Sequence, residues 1–362
     1  MQLGSFFLFN RPAERSENEM LHEDLDLMQA TEELGFSSIW AAEHHFGDYG
    51  ICPSPALALA AVARATKTIR LGTAVVVLPL HNPIRVAEEL AFVDQISNGR
   101  LDIGVGRGYR DKELRAYHVR HEDTRPIFRE WLDIMVGGWT QPLFSYEGQF
   151  FQASNVEVRP KPLQQPYPRL FVGSLSQETF GLVGNLGTNL LFTPRFDKAN
   201  EAESLAEYAE LIAGYKQLIR DHGGDPADRQ VGALRFIYCA ETDEQARRDF
   251  EGPMAWFRAE AARQNMPVEA IPATAGDDWK KYQRGPAFDY DEAVNSGQFI
   301  CGSPATVIRR LEEMQRAWDL DTLICWTRVG DLPVAKVLRS TELMAKEVLP
   351  HFADTKVASA TA

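Results

Sequence analysis

Residues 40–50 read WAAEHHFGDYG and set a carboxylate, Glu43, directly before two adjacent imidazoles, His44 and His45. The chain has 8 histidines in 362 residues, so a pair beside an acid stands out from the rest. An imidazole titrates near neutral pH, which suits this cluster to proton transfer. Metal binding suits it less. Successive side chains of a strand point to opposite faces, so His44 and His45 do not readily hold one ion. The other histidines show no HxH or HExxH spacing. For a single histidine, a hydrogen-bonded structural role is the simpler reading. Further polar clusters at equivalent places in the fold would shift that reading toward a site.

Such clusters are present. Arg107 sits in the glycine-rich turn GVGRG, where backbone N–H groups and a guanidinium can face one ligand. Ser174 and Ser176 follow a later apolar run, and Ser176 and Thr179 bracket the start expected for the next helix. Arg125, in HEDTRPIFREW, stands at another helix start. Two arginines and helix-start hydroxyls suit one phosphate better than a long pyrophosphate cradle. The plainer alternative is a set of helix caps and surface arginines.

The elements that must carry these groups alternate regularly. Apolar runs at Leu3–Phe9, Ser37–Glu43, Ile69–Pro79, Arg100–Gly108, Arg169–Ser174, Thr188–Pro194, Gly232–Ala240 and Asp321–Thr327 read as strands. Amphipathic stretches lie between them, with Ser54-Pro55 and Pro83 at helix starts and Gly35 and Gly99 at helix ends. Eight strand–helix units imply parallel pairing and a (β/α)8 TIM barrel, with Glu43-His44-His45, Arg107 and Ser174 all at the strand ends where βα loops gather. An open doubly wound sheet is the alternative. It usually carries GxGxxG after its first strand, but here that strand runs into NRPAERSENE, which has no glycine. Two stretches interrupt the rhythm of the single 1–362 domain. Residues 140–168 read as a hairpin insertion, and residues 264–297 as a long mobile lid.

Composition narrows the function classes. The formal charge is −13 with no basic run, which disfavours nucleic acid. No apolar segment approaches about 20 residues, and the N-terminus lacks a basic leader. The cysteines, Cys52, Cys239, Cys301 and Cys325, form no CxxC pair. A cytoplasmic protein with reduced thiols is the expectation.

AEHHFGDYG, TAVVVLPLHNPIRVAEELAFVDQISNGRLDIGVGRGYRDKE and GSLSQET together resemble segments of the bacterial luciferase α subunit. The chain is thereby identified as a member of the luciferase-like, FMN-dependent monooxygenase family. The likeness is dense over Leu3–Arg115. It returns at Pro168–Phe192, at FICGSPATVIRRLEEM and at AKEVLPHF. The resemblance implies a TIM barrel with insertions. It places Arg107, Arg125, Ser176 and Thr179 around the flavin phosphate, with Glu43 and a non-proline cis peptide at Ala74-Val75 beside the ring, and Ser174 is a further cofactor-binding candidate. It makes His44 the catalytic imidazole and leaves His45 structural. It further implies reduced FMN delivered by a separate flavin reductase, O2 activated as a C4a-peroxyflavin, a small organic substrate and a homodimer. Three departures fall around the substrate. Gly106 stands where luciferase has a cysteine, Tyr109 is shifted within the turn and followed by Arg110, and no tryptophan lies near Pro194. They argue against light emission and a long-chain aldehyde. The alternatives are hydride transfer with the deazaflavin F420 and a non-catalytic flavin-binding partner subunit.

Overall fold

The computed structural model describes residues 1–12, 14–174, 177–195, 200–264 and 288–353. Eight parallel strands close on themselves: β1 Gln2–Phe7, β2 Ser38–Ala41, β3 Arg70–Thr73, β4 Leu101–Gly106, β5 Arg169–Ser174, β6 Asn189–Phe192, β7 Val231–Cys239 and β8 Thr322–Trp326. Neighbours in sequence are neighbours in the sheet, and Gly4 of β1 registers with Ile324 of β8 to complete the ring. Helices lie between the strands, as parallel connections require. The fold is the TIM barrel anticipated from the alternating pattern.

Local chemistry sets the element ends. Ser16 and Glu19 form a reciprocal capping box at the start of the helix Glu17–Glu33. Asn82 caps the helix Pro83–Ile96 by accepting from the Ile84 and Arg85 amides, with proline at its first position. That helix ends at Asn98 and Gly99, both with positive φ, and the chain turns at once into β4.

Two readings need correction. The run Ile69–Pro79 is not one strand. β3 stops at Thr73, the cis peptide that the resemblance implied joins Ala74 to Val75, and Val76–Val77 resumes pairing with β4 before a short 3-10 turn at Leu78–Leu80. A strand at Ile300–Gly302 gave no sequence signal, because three residues are too few for a period to show. It pairs with the outer end of β7, Ile237 facing Ile300. In the stretch 264–297, Gln264 closes the helix Asp243–Gln264 and Tyr290–Asn295 forms another helix, while 265–287 lie outside the described residues. Between β4 and β5, Phe144–Glu147 and Gln152–Val156 pair antiparallel as a hairpin with one irregular step.

Aromatic rings from three strands and a helix pack together at one side of the core. Phe236 stacks on Trp326 at 4.1 Å, with Phe6 and Phe257 tilted or edge-on at 4.7 and 4.8 Å. Each such pair contributes about 0.5–1.5 kcal/mol beyond its burial. No helix of the described residues is long and apolar enough to cross a membrane.

Candidate active site

The C-terminal ends of all eight strands open into one cavity of about 290 Å³. Its deeper wall is apolar, with Phe6, Leu8, Leu234, Ile324 and Trp326. Its polar groups divide by strand. Glu43 and His44 follow β2, Arg107 follows β4, Ser174 ends β5 with Thr179 in the helix after it, and Arg195 follows β6, while the apolar Ala74 and Val75 follow β3. A concave apolar site with a few placed polar groups is the usual form of a small-molecule pocket.

The two histidines, both past the end of β2, point to different partners. His44 Nδ1 lies 3.0 Å from Glu113 Oε1, and the same oxygen accepts from the His45 backbone N–H at 3.1 Å. His45 turns the other way, with Nε2 3.0 Å from Glu43 Oε1 and Nδ1 3.2 Å from the Tyr117 hydroxyl. Glu43 is 2% exposed and fully used: Oε1 also meets His81 Nε2 at 2.8 Å, and Oε2 accepts from the Val77 amide at 2.9 Å. Its carboxylate thus ties the loop after β2 to the segment just beyond Ala74-Val75.

Burial pushes the Glu43 carboxyl up, but the hydrogen bonds from His45, His81 and Val77 outweigh it, so its pKa falls below the usual range. Glu113 follows the same balance, with His44 and Arg110 holding it down against burial. Burial draws the His44 imidazole below its ordinary value. The Glu113 hydrogen bond opposes this and the Arg110 charge adds to it, and the net direction is down. His44 is therefore neutral at neutral pH. His81 moves up, because its Glu43 hydrogen bond outweighs burial. Arg110 is 5% exposed and lies 4.0 Å over the Tyr49 ring, whose edge meets His44 at 4.9 Å between centroids.

Val75 projects between bare stretches of main chain. A Cβ added at Gly106 would fall 2.7 Å from Val75 Cγ2, and one at Gly173 would fall 2.8 Å from Val75 Cγ1. Glycine on β4 and β5 is what lets Val75 reach the cavity wall.

Among the cofactor candidates, Arg107, Ser174 and Thr179 line the cavity: Arg107 just past β4, Ser174 at the end of β5 and Thr179 in the helix that follows it. Arg107 Nη1 approaches Thr124 Oγ1 at 3.5 Å, at the first residue of the helix Thr124–Thr140. Arg125, second in that helix, is exposed and is not among the residues that line the cavity. Ser176 lies outside the described residues. The sequence reading missed Glu113, Arg110, His81 and Arg195. Glu113 and Arg110 were within view, in GRGYRDKE just after the β4 turn, and His81 lies in LPLHNP after β3.

Comparison with known proteins places this geometry. A family model described as luciferase-like monooxygenase matches residues 1–319. The flavin-dependent trigonelline monooxygenase, oxygenase component, of Acinetobacter baylyi is 28% identical over 99% of this chain and 97% of its own. Among solved structures, the monooxygenase RslO1 of Streptomyces bottropensis superposes with a TM-score of 0.84 at 25% identity, over 98% of this chain and all of that one. The oxygenating constituent of 3,6-diketocamphane monooxygenase from Pseudomonas putida, in complex with FMN, superposes at 0.77 with 22% identity over 97% and 98% of the two chains. The last likeness concerns the fold alone.

Proposed function

The chain belongs to the luciferase-like monooxygenase family, and from that premise we propose that it is the oxygenase component of a two-component flavin monooxygenase. It takes reduced FMN from a separate reductase and uses O2 to oxygenate a small organic substrate. The observation that carries this reading is the division of one cavity between two chemistries. His44, backed by Glu113, stands on the β2 side, and Arg107 with the Ser174 and Thr179 hydroxyls stands across β4 and β5.

The residues present fit a flavin mononucleotide. The cavity wall is bare main chain at Gly106 and Gly173, where a Cβ would displace Val75. Arg107 with the Ser174 and Thr179 hydroxyls suits a single phosphate rather than a dinucleotide. The description of the Acinetobacter relative as an oxygenase component supports a separate reductase. So does the lack of a dinucleotide fingerprint after β1.

Reduced flavin, when bound, supplies the activation of O2. The chain supplies the surroundings. Phe6, Leu8, Leu234, Ile324 and Trp326 keep the deep wall dry. Arg107, Ser174 and Thr179 anchor the phosphate end and so fix the depth at which the ring would lie. Neutral His44 accepts or returns a proton at Nε2 as the reaction proceeds. Once protonated, its charge is offset by Glu113, 3.0 Å from Nδ1.

The test is oxygen incorporation from labelled O2 into candidate substrates, with chemically reduced FMN and no reductase. Substrate-dependent incorporation is expected. Turnover with reduced F420 and no O2 uptake would replace the proposal with hydride transfer.

A further inference from the structure

We propose that Glu113 is a positioning residue that holds His44 as its Nδ1–H tautomer and so leaves Nε2 as the basic nitrogen of the site. The inference rests on the reading of His44 as the proton-handling group and adds a residue that the sequence did not single out.

The argument begins with one oxygen. Glu113 Oε1 lies 3.0 Å from His44 Nδ1 and 3.1 Å from the His45 backbone nitrogen. The backbone N–H can only donate, so Oε1 acts as an acceptor there. An oxygen that already accepts, on a carboxylate, has no proton to give to Nδ1. The hydrogen of the His44 contact therefore belongs to the imidazole. A neutral ring with its proton on Nδ1 has a lone pair on Nε2.

Placement by the fold agrees. Glu113 is third in the helix Asp111–Ala116, which follows the glycine turn after β4, and it is 4% exposed. The groups facing His44 are Glu113 from that helix, Arg110 from the turn before it, and Tyr49 and Glu43 from the loop after β2. Glu43 is fully engaged with His45, His81 and Val77. Arg110 is stacked on Tyr49. Among these groups Glu113 alone has an oxygen at hydrogen-bond distance from the His44 ring. When Nε2 takes a proton, the ring becomes an imidazolium whose charge the Glu113 carboxylate offsets. The proton stays on His44, and Glu113 remains ionised.

The tautomer can be read directly from nitrogen-15 NMR of histidine-labelled protein without flavin, with the His44 signals assigned by their loss in His44→Gln. The wild type should show Nδ1–H. In Glu113→Gln the carbonyl oxygen, placed as Oε1 is, can accept from both nitrogens and should keep Nδ1–H, whereas Glu113→Ala removes that acceptor and the ring should shift toward Nε2–H. The oxygenation rate should then fall on the order of 10²-fold with FMN affinity within about twofold. Glu113→Asp keeps the charge and should keep the tautomer and part of the rate, and it serves with Glu113→Gln if the Ala variant does not fold. An Nε2–H ring in the wild type, or an unchanged tautomer in folded Glu113→Ala, overturns the inference. Wild-type oxygenation by His44→Gln would instead sink the proposed role of His44, while the tautomer result would still decide the role of Glu113.

Discussion

The two ends of the barrel both bury carboxylates, and they pair them with different cations. At the end where the strands begin, Asp102 of β4 is 1% exposed and is gripped from both sides. Arg70 of β3 donates to it at 2.6 and 2.7 Å, and Arg169 of β5 at 2.7 and 2.8 Å. Close by, Arg100 spreads its guanidinium over the carbonyls of Ala63, Thr66, Ile69 and Ser97. At the opposite end Glu43 and Glu113 meet imidazoles instead. A guanidinium keeps its charge at every physiological pH, and an imidazole does not. One end is built to hold and the other to change protonation state, which matches the division of stability and activity between barrel faces.

The sharpest test of that contrast lies within the histidine pair. His44→Ala should fold and bind FMN, yet lose turnover by ~10²–10⁴-fold. Stopped-flow absorbance after mixing the reduced FMN complex with O2 would follow this. His45→Ala leaves Glu43 and Tyr117 short of a partner and should lower thermal stability and flavin binding together. If both variants lost only stability, the two ends would not differ in kind.

Next in size is the lower end. Asp102→Ala leaves Arg70 and Arg169 facing each other across a gap. It should cost about 3 kcal/mol of unfolding free energy, at the low end for a broken buried pair because both arginines are partly exposed. Urea titration would measure it. The pH dependence of turnover in the surviving folded enzyme should not move. A displaced pH profile would mean that the two ends communicate.

Arg107→Ala should weaken reduced-FMN binding by roughly 1.5–3 kcal/mol, the scale of a charged hydrogen bond. Arg125→Ala should do less, given its exposed place off the cavity wall. Equilibrium titration under anaerobic conditions separates them, and equal losses would return Arg125 to the phosphate site.

The smallest effect concerns pH. His44 works as a base only when neutral, and its environment draws its pKa down. Activity should therefore fall on acidification only below about pH 6.5, the ordinary histidine value. Arg110 contributes to that lowering, so Arg110→Met should move the acid limb of the kcat profile upward. A limb that stays in place would remove Arg110 from the electrostatics of the site.

Much of the barrel was legible because each strand is a short apolar run bounded by caps and glycines. Those signals are local. What escaped the periodicity was local structure too short to have a period, as at Ile300–Gly302, and the end of β3 inside a run of valines; the cis peptide at Ala74-Val75 came from the family resemblance alone. The site followed the same division. His44 and Arg107 stood out through their neighbours in sequence and through family resemblance. Glu113 and His81 reach their partners across 69 and 38 residues. Those contacts depend on strand register and on how the loops after β2, β3 and β4 lean together, which no short window of sequence contains.

The seat of Val75 has a practical consequence for anyone redesigning the cavity. Positions 75, 106 and 173 share one fixed allotment of space, and Val75 now occupies it. The cysteine that luciferase has at position 106 cannot simply be restored in this chain, because its Cβ would sit 2.7 Å from a valine methyl. Gly106→Cys alone should therefore be tolerated poorly, and Gly106→Cys with Val75→Ala much better. Libraries that vary these three positions one at a time will sample mostly failures, since the permitted combinations lie along a line of constant volume.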